Sequence, residues 1–164
     1  SEKSEEGEKI RQDQIHCLFN ELLDIKDIPV ILCCDLNANP EKNKNGYNPL
    51  CYEQLTEGGF ESVYVRGDSK EPAFTTFKRR EHGVDKHTID YIFLKNVTCN
   101  VTHLLDIPEV GDDESNSKNF IPNWNYPSDH FAIGCKLQWK RSLPFFIYMY
   151  TYVYMHILCV LFII

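Results

Sequence analysis

The stretch Pro29-Val-Ile-Leu-Cys-Cys34 constrains this chain more than any other. It is short, apolar at every position and partly β-branched, with no alternation between apolar and polar residues. A strand with one face in water alternates, whereas a strand covered on both faces does not. The run therefore predicts a central strand. Such a strand needs other strands beside it and apolar layers on both faces. The 164 residues can supply them: 43% are hydrophobic and 25% charged, a globular balance that excludes wholesale disorder.

Around that strand the pattern is legible in coarser terms. Ile10, Ile15, Leu18, Phe19, Leu22 and Leu23 fall at helical spacing and predict a helix over 8–24, with Pro29 blocking any continuation. Asn48-Pro49 opens a short helix to about Glu57, closed by Gly58-Gly59. Residues 60–65, 74–78, 87–94, 101–105 and 131–139 read as strands. Residues 79–86 read as a charged connector and 109–125 as a polar loop. The fold class is α/β.

Lys+Arg 17 against Asp+Glu 24 gives a net charge of −7, which excludes a broad basic face that coats nucleic acid. A local phosphate site is still allowed, because metal-dependent phosphate chemistry needs carboxylates. The seven cysteines are odd in number and contain no C-x-x-C. They read as buried thiols in a reducing compartment rather than a disulfide framework or zinc site.

Four places carry chemistry. Asp35 and Asn37 close the central strand. Residues i and i+2 of a strand share a face, and ligand sites in α/β sheets favour the carboxyl ends of strands. An Asp there can hold a metal ion or take a proton from water, and an Asn can donate to a phosphoryl oxygen. An Asx-turn that merely ends the strand explains the same pair. Asp90 sits inside Thr88-Ile-Asp-Tyr-Ile-Phe93, where a buried carboxylate is costly unless paired. His130 is its natural partner, and the solvent face of an edge strand is the alternative. Ser128-Asp129-His130 offers a general acid or base with a carboxylate beside it, or else an ordinary surface turn. Lys9 and Arg11 could grip a phosphate from the first helix, or form a solvated helix end.

In order and spacing, Leu32-Cys-Cys-Asp-Leu-Asn37, Thr88-Ile-Asp-Tyr-Ile-Phe93 and Tyr126-Pro-Ser-Asp-His130 resemble the endonuclease/exonuclease/phosphatase superfamily. Within it the pattern is similar to the nocturnin-like, deadenylase-like branch, from about Lys3 to Trp139. The resemblance implies a two-sheet sandwich flanked by helices, of the deoxyribonuclease I type, and Mg²⁺-dependent phosphoester hydrolysis. By motif, Asp35 would orient or activate the attacking water and Asn37 would hold a phosphoryl oxygen. His130 would stabilise developing charge, Asp90 would fix its ring and Asp129 would support the metal. Lys9 and Arg11 would hold substrate phosphate. The implied substrate is the 2′-phosphate of NADP(H), or alternatively poly(A) RNA. The implied location is cytoplasmic or mitochondrial, with no oligomer.

The same resemblance places residues 1–141 in the carboxyl-terminal half of such a domain. A principal metal-binding Glu belongs to the family's first half, so the expectation is that this chain alone turns over poorly. A non-catalytic, membrane-tethered phosphate-binding module is the alternative. The segment 142–164 has no counterpart in the family pattern. No Lys, Arg, Asp or Glu follows Arg141. A helix rising ~1.5 Å per residue over that length would reach across a ~30 Å bilayer core, which suggests a membrane contact through 143–164. The period-two tyrosines from Tyr148 to Tyr154 suggest a strand instead, and a non-native extension is the third reading.

Overall fold

The computed structural model describes residues 5–23, 27–41, 49–80, 83–108, 121–124, 126–139, 148–154 and 157–163. The central strand is β1, Val30–Asp35. It pairs antiparallel along its whole length with β5, Asp90–Lys95, in a register that sets Val30 opposite Lys95 and Asp35 opposite Asp90. Between these ends Leu32 meets Phe93 and Cys33 meets Ile92. Because strand side chains alternate, this register sorts the residues into two layers.

On one face Val30, Leu32, Cys34, Tyr91 and Phe93 form a core with Ile15 and Leu22 of α1 (Glu5–Leu22) and with Cys51 and Leu55 of α2 (Cys51–Glu57). On the other, Ile31, Ile92 and Leu94 pack with Val63 and Tyr64 of α3 (Val63–Asp68). They also pack beneath a small antiparallel sheet of β6 (Cys99–Leu104) and β7 (Cys135–Trp139). Four successive residues of β5, Tyr91 to Leu94, are buried, as a strand covered on both faces requires. The result is an α/β architecture with sheets flanked by helices, broadly consistent with a deoxyribonuclease I-like fold.

The structure departs from the sequence reading in four places. The expected strand over 60–65 is only the two-residue β2, Glu61–Ser62, which pairs with β5. The Ser62 hydroxyl then accepts a hydrogen bond from the Tyr64 amide (3.2 Å) and caps α3, so a local side-chain cap turns the chain into a helix. The charged connector is a hairpin of β3 (Thr76–Arg80) and β4 (Gly83–His87), and His87 ends β4 rather than starting β5. The expected strand over 131–139 is shorter, starting at Cys135. Residues 109–120 and 125 of the expected polar loop lie outside the described residues.

The described parts of the apolar tail, 148–154 and 157–163, take up strand geometry. The tyrosines at period two lie in β8 (Tyr148–Tyr154), which pairs with β9 (Ile157–Ile163). β9 in turn adds to the second edge of β1 across Ile31, Leu32 and Cys33, giving a sheet of order β2-β5-β1-β9-β8. Among the described residues no helix is long and apolar enough to cross a membrane.

α1 and α2 are joined by one buried carboxylate. Glu8 is 5% exposed. Its Oε1 accepts from the amides of Leu50 (2.7 Å) and Cys51 (3.0 Å) at the start of α2, and its Oε2 accepts from Arg11 Nη2 (2.8 Å) and Nε (3.1 Å). A negative group at a helix N-terminus meets unpaired amides and the positive end of the helix dipole. Replacing Glu8 by Ala removes the buried carboxylate paired with Arg11 and the acceptor of the Leu50 and Cys51 amides. The expected loss is about 3–5 kcal/mol of stability, read as a lower urea midpoint; an unchanged midpoint would show that the joint is solvated.

Candidate active site

The face of β1 that carries Ile31 and Cys33 also carries Asp35, and the facing positions of β5 carry Leu94, Ile92 and Asp90. The two carboxylates therefore stand side by side where the apolar layer between the large sheet and the β6–β7 sheet ends. Directly opposed residues of an antiparallel pair have Cβ atoms about 5 Å apart, and like charges there repel. Local donors offset that repulsion.

Asp35 is served by Asn37. The backbone amide of Asn37 donates to Asp35 Oδ1 at 2.8 Å, and its side-chain amide donates to Oδ2 at 3.1 Å. This is the Asx-turn. It coexists with the site and does not replace it, because Asp35 still faces Asp90. The expected i, i+2 alignment does not apply, since β1 stops at Asp35 and Asn37 has φ 48°, in the left-handed region that Asn tolerates. Asn37 is beside Asp35 because its amide bonds back to it.

Asp90 is served by Thr75 and His130. The Thr75 hydroxyl donates to Asp90 Oδ2 at 2.6 Å and accepts from the amides of Ile89 (3.0 Å) and Asp90 (3.1 Å). The Thr75 backbone bonds to the His87 carbonyl and to the Phe131 amide, both at 2.7 Å. One fully buried residue thus ties the end of β4, the start of β5 and the His130 loop together. Thr75 was missed as a site residue. Its signal, a hydroxyl between Phe74 and Phe77 in an otherwise apolar stretch, is indistinguishable in sequence from ordinary strand composition.

His130 Nδ1 lies 3.0 Å from both oxygens of Asp90. A carboxylate only accepts, so Nδ1 carries the hydrogen and Nε2 is the ring nitrogen not bound to Asp90. Asp129 Oδ1 stands 3.9 Å from Nε2. The hydrogen bond to Asp90 holds the His130 pKa above the ordinary 6.5, helped by the negative charges of Asp90, Asp35 and Asp129 and opposed by burial. Ligand atoms of Asp35, Asp90 and His130 all lie within 4.8 Å of one another, a candidate divalent-metal site. Asp129, expected to support a metal, is outside that trio and beside the His130 ring.

The two cations of the first helix diverge. Lys9 is exposed, whereas Arg11 is buried and its guanidinium is bound to Glu8. A cleft of about 510 Å³ between α3, the 70–73 turn and β6 contains none of the site residues.

An α/β chain with two opposed carboxylates and a carboxylate-bound histidine at the end of its central strands has the parts of a metal-dependent phosphoesterase site. The comparisons with known proteins agree at that level. The chain is 32% identical to nocturnin of Homo sapiens over 115 residues, 70% of this chain and 26% of the relative. It is 31% identical to nocturnin of Rattus norvegicus over 138 residues, 82% of this chain and 31% of the relative. Human 2′,5′-phosphodiesterase 12 is 29% identical over 127 residues, 69% of this chain and 20% of the relative. No family model matches the sequence. The chain is a distant homologue of nocturnin and related phosphodiesterases of the endonuclease/exonuclease/phosphatase superfamily, and it spans about a fifth to a third of the nocturnins it matches.

The raised pKa of His130 has a defined consequence for pH. In the metal-free protein the Asp90–His130 pair stabilises the fold fully below the unfolded histidine value of about 6.5, and this contribution is lost as pH rises through the folded value. An NMR titration is expected to place His130 above the ordinary histidine value of about 6.5, and Asp90→Asn is expected to bring it down. An unmoved titration in that variant would show that Asp90 does not set the charge of the ring.

Proposed function

We propose that the chain carries the reaction centre of a metal-dependent phosphoester hydrolase. The observation that carries this reading is the Asp35–Asp90 register with His130 bound to Asp90. Two hard carboxylate oxygens with room for waters and a phosphate oxygen suit Mg²⁺, which favours oxygen ligands and keeps part of its water shell. Asp35 and Asp90 would hold the ion. The imidazole is the less suitable ligand for so hard an ion, and its Nδ1 hydrogen is directed at Asp90. When bound, Mg²⁺ would neutralise charge on the phosphoryl oxygens and polarise water.

The chain's own residues take the remaining roles. Asp35, steadied by Asn37, orients or deprotonates the attacking water. The Asn37 side-chain amide has a second N–H for a phosphoryl oxygen. His130, whose pKa the Asp90 hydrogen bond raises, meets the charge that develops on the phosphate with its Nε2. Asp129, beside Nε2, supports that shift. Phosphate recognition falls to Asn37 and His130 rather than to Arg11, whose guanidinium is bound inside the α1–α2 joint.

The substrate we favour is a compact nucleotide, the 2′-phosphate of NADP(H), over poly(A). The nocturnin relationship and the net charge of −7 support this, because a long polyanion is gripped by cationic tracks. The relative named 2′,5′-phosphodiesterase 12 supports phosphoester chemistry at a ribose 2′ position.

The test is Mg²⁺-dependent phosphate release from NADPH alongside nucleotide release from oligo(A), in protein extended upstream to the relatives' length. NADPH hydrolysis is expected, and Asp35→Asn or His130→Gln should each cut the rate about a hundredfold or more, the usual scale of positioned acid–base groups. Faster turnover of oligo(A) would overturn the substrate assignment. Phosphate binding with no turnover of either substrate would overturn the enzyme reading in favour of a binding module.

A further inference from the structure

The turn that carries Asn37 is held by more than its own bonds to Asp35. Leu36 and Ala38, on either side of it, are buried. The Leu36 amide donates to the Ile89 carbonyl at 2.8 Å. The Tyr91 hydroxyl lies 2.8 Å from the Ala38 carbonyl and 2.7 Å from the Thr88 carbonyl, so its one hydrogen is shared between the two segments. Asn37 itself sits at φ 48°, a left-handed conformation that persists where the surrounding structure holds it.

Asn39 adds a further tie. Its Oδ1 lies 3.2 Å from the Thr88 amide nitrogen and its Nδ2 lies 3.4 Å from His87 Nδ1. A backbone amide only donates, so the oxygen faces Thr88, and this fixes the orientation of the Asn39 amide. Nδ2, a donor, is thereby turned to His87 Nδ1. That ring nitrogen has to accept, which puts the His87 hydrogen on Nε2 and makes the ring neutral.

The pair bridges the two halves of the site. Asn39 belongs to the segment that leaves Asp35 and Asn37, whereas His87 and Thr88 lead into Asp90. The His87 carbonyl accepts from the Thr75 amide at 2.7 Å, and the Thr75 hydroxyl donates to Asp90. A single side chain therefore spans from the Asn37 turn to the segment that Thr75 fixes beside Asp90.

We propose that Asn39 is a positioning residue for phosphate recognition: with neutral His87 as its acceptor, it latches the Asn37 turn to the β4–β5 junction and keeps the Asn37 amides on Asp35 and available to a phosphoryl oxygen. The inference rests on the phosphoester reading above. Asn39 acts through Asn37 and has no contact with substrate in this role.

The test uses the ¹⁵N-labelled 164-residue chain as wild type, Asn39→Leu and Asn39→Asp. Leu is close to Asn in shape and removes both hydrogen bonds, and Asn39→Ala replaces it should the Leu variant not fold. Asp still accepts from Thr88, and accepts from the ring once the His87 hydrogen moves to Nδ1. Ring ¹⁵N shifts should therefore report an Nε2 hydrogen in wild type and an Nδ1 hydrogen in Asn39→Asp. In Asn39→Leu the Asn37 backbone amide should exchange with solvent about five- to a hundredfold faster, the scale of two lost hydrogen bonds. The Phe93 amide, inside the β1–β5 pairing, should keep its rate. A residue that only stabilised the fold would speed both. Inorganic phosphate with Mg²⁺ is the probe of the site, measured by equilibrium dialysis. It should bind Asn39→Leu about two- to tenfold more weakly, the scale of one hydrogen bond, and Asn39→Asp as it binds wild type. An Nδ1 hydrogen in wild type, or an Asn39→Leu variant in which either Asn37 exchange or phosphate affinity is unchanged, would overturn the latch and leave the phosphoester reading standing. Absence of phosphate binding by wild type would overturn the phosphoester reading and, with it, the role of the latch in recognition.

Discussion

The antiparallel pairing of β1 with β5 puts Asp35 directly opposite Asp90, and the site depends on how that repulsion is met. The register cannot slip to relieve it. A shift of β1 by one residue would move Ile31 and Cys33 to the face covered by α1 and α2 and Leu32 away from it, scrambling both cores. The apolar layers therefore hold two carboxylates in contact range, and donors gathered around them make the arrangement tolerable. Asn37 bonds Asp35, while Thr75 and His130 bond Asp90.

These donors come from distant parts of the chain. Thr75 arrives just ahead of the β3–β4 hairpin, and His130 arrives on the segment leading to β7. That segment bridges back to β3 through a Thr76–His130 pairing. A third apolar cluster, centred on Phe77, Ile121 and Phe131, keeps hairpin and segment together. The packing under the hairpin thus fixes the distance from His130 to Asp90, and with it the hydrogen bond that raises the imidazole pKa. Local stability, electrostatics and function meet in that one hydrogen bond.

Much of this was legible in the sequence where a residue's role follows from its own neighbourhood. An apolar run without alternation can be only a covered strand or a buried helix turn, and β1 is the former. A carboxylate among Ile89, Tyr91 and Ile92 needs a partner, and His130 stands 3.0 Å away. What was not legible depends on partners far along the chain. Arg11 looked like a surface cation until Glu8, bound in turn to residues more than forty positions on, drew it inward. Residues 60–65 looked extended because their apolar content suits a strand, yet one capping hydroxyl on Ser62 turns them into α3. Thr75 reads in the sequence as an ordinary strand threonine, since its function lies in three hydrogen bonds that only the fold assembles.

Anomalous diffraction from a crystal soaked in Mn²⁺ tests the central claim most directly, because it locates the ion without reference to turnover or substrate. Mn²⁺ takes the same oxygen donors as Mg²⁺ and can stand in for it. One strong peak is expected beside the carboxylates of Asp35 and Asp90, with His130 still hydrogen-bonded to Asp90. A peak on Asp129 alone, or none near the β1–β5 end while both carboxylates remain in register, would contradict it.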